Sequence, residues 1–384
     1  MEAVIARQYG PPRQHEIAEV PIPEPGPGQI QVRIAAVSIN PADVRLVSGD
    51  FRAAIDLPFP HIPGNDFAGT VTALGEGVDR PVGEGIGHDV GGGASWDVSG
   101  GVGAGVGERV GAVVVGGGGV VGGGGVAGAS GDVGAGFGEG VGGYSVGDEV
   151  FGFATPRALR HMGSSSLSTG ALAEYAVFEA RTPFLAHRPP ELDVEQAAAL
   201  PTVGLTARAL MASADLRSDT HAGRRVLVVG ATGGVGTTLL PLLAETGAHV
   251  IATARPEDAD LVRALGAKEV VGYGDYPAGV DLAFNVVVAG DALDGIAAAV
   301  KPGGRLLTIT FPPPPAFDGI DVRLVLDMEG RFGGMAEVAA DAVAGRLRAR
   351  IDRTYAFGDA VQALTDFAER HKTGKLVVRV RSRA

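Results

Sequence analysis

The stretch Val226–Leu240, VLVVGATGGVGTTLL, decides the fold. Four apolar residues, Val226 to Val229, read as a strand, and a second apolar run follows the glycine cluster. The segment between them, Gly230-Ala-Thr-Gly-Gly-Val-Gly236, therefore leaves a strand and opens a helix, the context in which a dinucleotide's diphosphate is held. Gly230 and Thr232 belong to the turn itself. Gly233 lets the backbone approach the pyrophosphate, and Gly236 lets the helix pack close to the sheet. The first helical amides, around Gly234 and Val235, face the phosphates at the positive end of the helix dipole. The competing reading is a tight strand-to-helix turn that holds no ligand.

The second strand selects the cofactor. An acidic residue about 20 positions after the glycines would accept the ribose hydroxyls of NAD. Here the strand ends Ile251-Ala-Thr-Ala-Arg255, with no carboxylate before Glu257. Thr253 and Arg255 are thus candidates at the adenosine end, and a guanidinium can form a fork on a 2′-phosphate, which favours NADPH. The plainer alternative is that Arg255 is a solvated loop cation.

Working outward, Val250–Thr253, Asp281–Val287 and Arg305–Thr310 read as further strands, with helices starting near Gly234, Glu257 and Asp291. This alternation predicts a parallel sheet with helices on both faces. After it, Ala360–Arg370 reads as an amphipathic helix and Lys375–Val380 as a final strand. Before it, Ile30–Val37 and Phe67–Leu74 read as strands, and the alternating prolines of Pro21–Gly28 as a turn.

Residues 81–143 form a low-complexity zone holding nearly half of the chain's 62 glycines. Ordering such a backbone is costly, so the expectation is an exposed, mobile insertion, with His88, Asp89 and Trp96 solvated inside it. Its uncharged part, Gly111–Ala129, has the length of a membrane span, but roughly half glycine argues against a helix there.

Composition narrows the function classes. A formal net charge of −12 argues against a nucleic-acid partner, whose phosphates need Lys and Arg. With no cysteine among 384 residues, disulfides, thiolate metal sites and a Cys nucleophile are all excluded. The opening MEAVIARQYG lacks the charged start, apolar run and cleavage site of a signal peptide, so a soluble, cytoplasmic protein without a membrane partner is expected.

Several ordered motifs together resemble the medium-chain dehydrogenase/reductase superfamily, in its zinc-independent quinone oxidoreductase (zeta-crystallin-like) branch. They are PEPGPG at Pro23–Gly28, SINPAD at Ser38–Asp43, IPGNDFAG at Ile62–Gly69 and VGDEVFG at Val146–Gly152. Further on come GALAEY at Gly170–Tyr175, AALPTVGLTA at Ala198–Ala207, the glycine turn, and Gly374-Lys375. The resemblance implies an α/β chain with a β-rich GroES-like catalytic domain from residues 1–197 and 348–384, carrying the insertion 81–143. A Rossmann domain with a doubly wound parallel sheet is implied for residues 198–347.

The same resemblance implies hydride transfer from NADPH to a quinone or activated enone. Zinc-dependent relatives carry Cys where Asn40 lies, His where Asn65 lies, and a four-Cys lobe; no metal site is expected here. Asn40 is implied as a polar group at the nicotinamide or acceptor oxygen, Asp43 as a residue holding the local loop, and Thr206 and Lys375 as cofactor contacts. Asn40-Pro41 also reads as a plain turn, and Thr206 as a plain helix cap. Two positions depart from the pattern. Phe51 stands where enoyl reductases place a proton-donating tyrosine, and Asn285-Val-Val-Val-Ala289 stands where relatives show Asp and a Gly-rich turn. The alternatives are an NADP(H)-binding protein of low activity with a structural or sensing role, or an enoyl reductase. A homodimer joined at Rossmann edge strands is implied as well, with Gly304–Pro312 as the edge.

Overall fold

The computed structural model describes residues 1–53, 55–78, 113–115, 143–154, 170–215 and 222–380. The first part runs β1 (Glu2–Ile5), β2 (Glu16–Glu19), β3 (Gln29–Ser38), α1 (Pro41–Ser48), β4 (Asp66–Leu74), β5 (Val113–Val115), β6 (Glu149–Phe153), β7 (Tyr175–Glu179) and β8 (Leu185–His187). Helices α2 (Val194–Ala199) and α3 (Pro201–Ser213) lead to β9 (Arg225–Val229), α4 (Gly234–Glu245), β10 (His249–Thr253), α5 (Ala259–Ala264) and β11 (Glu269–Val271). Then follow β12 (Val280–Asn285), α6 (Asp294–Ala299), β13 (Val300–Thr308), β14 (Asp321–Leu326), α7 (Met335–Val343), β15 (Ile351–Ala356), α8 (Ala360–Glu369) and β16 (Lys375–Arg379).

The apolar run before the glycine turn becomes β9, an interior strand of a seven-stranded sheet ordered β11-β10-β9-β12-β13-β14-β5. Every pair in it is parallel. Burial on both faces explains why β9 is apolar from Val226 to Val229, after Arg225 at its start. Val226 and Val228 pack with Leu210, Leu239, Leu240 and Leu243 on one face. Leu227 and Val229 pack with Leu293 and Ile296 on the other. Within its first six strands the order reverses between β9 and β12, which places the ligand crevice at their carboxyl ends.

The second sheet, β15-β16-β3-β4-β6-β8 with β7 on β3, is mostly antiparallel. Its core includes Val32, Ile34, Phe67 and Phe178, the two phenyl rings stacked at 3.8 Å. β16 pairs antiparallel with β3, so the C-terminal strand completes the N-terminal lobe.

Several expected boundaries shift for visible reasons. β12 stops at Asn285 because that side chain turns the chain: its Oδ1 accepts from Val288 N at 2.9 Å and its Nδ2 donates to Val288 O at 2.7 Å. The helix expected near Glu257 begins as a short 3-10 turn, Pro256–Asp258, and becomes α5 only at Ala259. The segment Gly304–Pro312, expected as a free dimer edge, is interior: β13 lies between β12 and β14. The outer edge of β14 is itself paired by the backbone of Val113–Val115, a strand supplied from the glycine-rich zone. The rest of that zone, with its expected mobility, the Gly111–Ala129 span and His88, Asp89 and Trp96, lies outside the described residues. Among the described residues no helix is long and apolar enough to cross a membrane.

Candidate active site

The glycine turn has the geometry its residues foretell. Gly230 has φ +95°, and a Cβ there would meet Val286 and Val287 side-chain atoms at 2.8–2.9 Å. A Cβ on Gly236 would sit 2.4 Å from Gly230 O and 2.6 Å from Ala231, so helix and turn touch backbone to backbone. Gly233 differs. It is the extended N-cap of α4, and a Cβ there would find its nearest neighbour at 3.6 Å. The approach to the first-turn amides of Gly234 and Val235 is therefore clear of side chains at Gly233, and such amides have no partner within their own helix.

Thr253 is fully buried beneath the turn, and its hydroxyl accepts from Gly230 N at 3.0 Å. It shapes the turn from behind. Arg255, two residues on, is exposed, with the Glu257 carboxylate 3.9 Å away. Thr206 lies half-buried in the second turn of α3, which opens at Pro201, so it is no helix cap.

The catalytic lobe closes directly onto this turn. Gly374 N donates to Thr232 O at 2.9 Å, and Gly233 and Gly374 form a parallel bridge. The Lys375 stem packs on Gly234, where a Cβ would meet Lys375 Cδ at 2.9 Å. Lys375 is buried, only 3% exposed, and its ammonium donates to Asn40 Oδ1 at 2.5 Å and Asp66 Oδ2 at 3.1 Å. Asp66 is a residue the sequence reading quoted but gave no role. Its Oδ2 also accepts from Ser38 Oγ at 3.2 Å, and its Oδ1 accepts from Thr202 N at 3.1 Å and Thr202 Oγ1 at 2.6 Å. The carboxylate thus gathers β3, β16 and the start of α3 around β4.

Asn40 and Asp43 lie together at the start of α1. The Asn40 amide oxygen is taken by Lys375, and its Nδ2 lies 3.4 Å from Ser38 O. Preceding Pro41, Asn40 is held extended (φ −122°) as the N-cap of α1. Asp43, at the third helical position, accepts from Asn40 N at 2.7 Å and Gly64 N at 3.1 Å. Burial pushes the Asp43 carboxyl up to about 7, against the Asn40 amide, with the nearby Asp66 charge adding to the rise and Lys375 opposing it.

Asn285 is also fully engaged: besides Val288 O, its Nδ2 has Thr308 Oγ1 at 2.9 Å and Thr310 Oγ1 at 3.0 Å, three acceptors sharing its two N–H groups. These bonds knit the carboxyl ends of β12 and β13. Among the described residues no group of three or more His, Cys, Asp or Glu is placed to hold a metal ion.

Two outcomes follow from the buried cluster. Replacing Lys375 by Met leaves Asp66 charged and unpaired, and urea unfolding is expected to show a loss of about 3–5 kcal/mol. Adding Asp66→Asn recovers part of it, so the double variant is more stable than the sum of the single losses. The folded Asp43 carboxyl holds its proton to higher pH than an unfolded one. Its contribution to stability is therefore complete below the ordinary carboxylate range and lost as pH rises through about 7. Melting temperatures followed from pH 5 to 8 are expected to carry this decline in the native chain and to lack that component in Asp43→Asn.

Comparison with known proteins agrees with this architecture. A family model described as "Alcohol dehydrogenase GroES-like domain" matches residues 26–189, and one described as "Zinc-binding dehydrogenase" matches residues 265–378. An NADPH-dependent alkenal/one oxidoreductase, chloroplastic, of Arabidopsis thaliana is 24% identical over 371 residues, spanning 94% of this chain and 74% of that protein. A chloroplastic quinone-oxidoreductase of Triphysaria versicolor is 26% identical over 379 residues, spanning 94% of this chain and 92% of that protein. The structure of the quinone oxidoreductase from Coxiella burnetii shares the fold with a TM-score of 0.70 at 22% identity, over 99% of each chain. With the Rossmann strand order, the GroES-like lobe and the glycine turn in place, the chain combines the two dehydrogenase domains of the medium-chain dehydrogenase/reductase fold and is similar to quinone and alkenal/one oxidoreductases.

Proposed function

We propose that this protein is an NADPH-dependent oxidoreductase that passes a hydride to a quinone or an activated enone without zinc. The observation that carries the reading is the contrast within the glycine turn. Gly230 and Gly236 are closed by packing, while Gly233 stays open at the start of α4. That is the cradle a diphosphate requires: free amides, a favourable dipole and no side chain in the way. The groups present fit NADPH. Gly233, Gly234 and Val235 would hold the diphosphate, and exposed Arg255 would take the 2′-phosphate as a guanidinium fork. The two relatives described above, one named as NADPH-dependent and one as a quinone-oxidoreductase, support the same assignment.

When bound, NADPH supplies the hydride; an acceptor quinone takes that hydride and one proton from water to leave as the hydroquinone. The chain's own residues contribute placement rather than acid catalysis. Lys375, Asn40 and Asp66 fix the floor where the two lobes meet, Asp43 holds Asn40 and the Gly64 loop, and Thr253 sets the turn. Conjugated acceptors suit such a site because they spread the incoming charge themselves, so precise orientation does most of the work. The residues present disfavour a zinc site. Asn40 and Asn65 replace the ligand types, the chain has no cysteine, and the Lys375 cation already occupies the oxygen of Asn40. If two copies assemble, they use a surface other than Gly304–Pro312, which is interior to the sheet.

The test is consumption of NADPH with a panel of quinones and enones, with and without a chelator. Turnover indifferent to the chelator is expected; NADPH binding with no turnover on any acceptor selects the non-catalytic nucleotide-binding alternative. Gly233→Ala is expected to fold normally yet bind NADPH at least about tenfold more weakly, a difference of roughly 1.4 kcal/mol. Gly236→Ala, by contrast, is expected to lose about 1–3 kcal/mol of stability, because its methyl group has no room.

A further inference from the structure

Two phenylalanines from different lobes meet at the carboxyl edge of the parallel sheet. Phe51 follows α1, just past Gly49, whose φ of +92° ends that helix. Phe311 lies three residues beyond the end of β13. Their ring centroids are 6.2 Å apart and their planes are inclined by 79°, an edge-to-face contact. Both rings are half-buried. The Arg45 guanidinium lies over the Phe51 ring, 4.7 Å from its centroid, and is itself held by Asp50 at 3.0 Å.

Position gives this contact a meaning beyond packing. The glycine turn follows β9, and the residues at the 2′-phosphate end follow β10. A dinucleotide laid across the switch point therefore carries its other half over β12 and β13, the side on which Phe311 stands. Phe51 reaches the same place from the lobe anchored through Asn40 and Lys375.

We propose that Phe51 and Phe311 form the acceptor slot, parting to take one flat conjugated ring between them. This rests on the hydride-transfer reading above and narrows its acceptor class to planar ring systems, ortho- or para-quinones above all, over acyclic enones. Edge-to-face aromatic contacts are individually weak, so the pair opens at little cost. A quinone ring inserted there meets a phenyl group on each side, with Phe51 stiffened by the Arg45 cation over its ring. Neither phenylalanine gives or takes a proton, so they determine specificity and play no part in acid–base chemistry.

The experiment measures binding and turnover separately. Phenanthrenequinone is titrated into the full chain saturated with NADP⁺, and KM values are measured for phenanthrenequinone and for methyl vinyl ketone, an acyclic enone. Native protein is compared with Phe311→Leu, Phe51→Leu and the ring-preserving Phe51→Tyr. Each leucine variant is expected to weaken phenanthrenequinone binding and raise its KM about tenfold. KM for methyl vinyl ketone and the affinity for NADPH are expected to change by no more than about twofold, and Phe51→Tyr to keep near-native values. Equal shifts for both acceptors, or none for either, would mean that the pair only latches the lobes, which overturns the slot. If a leucine variant does not fold, Phe51→Tyr with the other leucine variant still decides the matter. Failure of the native protein to reduce either acceptor sinks the hydride-transfer reading, whereas tenfold loss of phenanthrenequinone binding on ring removal would still locate the slot.

Discussion

A lysine ammonium sealed from water sets the terms for the rest of this structure. Lys375 lies under the dinucleotide turn, and an isolated charge in such a place would cost several kcal/mol. It is tolerated because Asn40 and Asp66 accept from it, and because Asp66 in turn accepts from Ser38 and from both donors of Thr202. Each partner comes from a different element: β3, the cap of α1, β4, the start of α3 and β16. The charge can be satisfied only when all of them are in place. Assembling the catalytic lobe and docking it on the turn are thereby the same event, and the adjacent Gly374–Thr232 hydrogen bond seals it.

The proposed hydride transfer suits this arrangement. The Lys375 cation occupies the Asn40 oxygen, and acceptors already activated by conjugation would need placement more than Lewis-acid activation. Behind the turn, Thr253 fills the space under Gly230, and in front Val286 and Val287 crowd the same glycine. The turn is gripped from both sides, which keeps the amides at the start of α4 pointed into the crevice.

How much of this was legible in the sequence depends on range. The glycine turn, its strand and its helix could be read directly, since the contact of Gly236 with Gly230 is local, whereas the crowding of Gly230 by Val286 and Val287 and of Gly234 by Lys375 comes from distant segments. The alternating rhythm, also local, gave the parallel sheet. Lys375 and Asn40 could be named only as members of separate motifs, because nothing in the sequence says that residues 335 positions apart touch. Asp66 and Thr202 sat inside quoted motifs without a role, since a buried carboxylate's donors are chosen by the fold and not by spacing. Thr206 carries a cofactor role by resemblance and a helix cap as its plainer reading; the cap fails because the proline that opens α3 lies five residues earlier. Asn285 departs from the pattern of relatives and so weakens any residue-by-residue carry-over there. Its backbone keeps its place in the ladders to β9 and β13, and its side-chain amide adds bonds at Val288, Thr308 and Thr310 that become visible only once β13 lies alongside.

Amide hydrogen exchange at Gly374 in cofactor-free protein tests the central claim most directly. If the last strand and the dinucleotide turn form one hydrogen-bonded unit, this amide exchanges as slowly as the central amides of β3 and β9, opening only when the whole molecule unfolds. Exchange at the rate of an exposed loop would show two lobes that meet only on ligand binding, with the Lys375 cluster a consequence of the site and not its foundation.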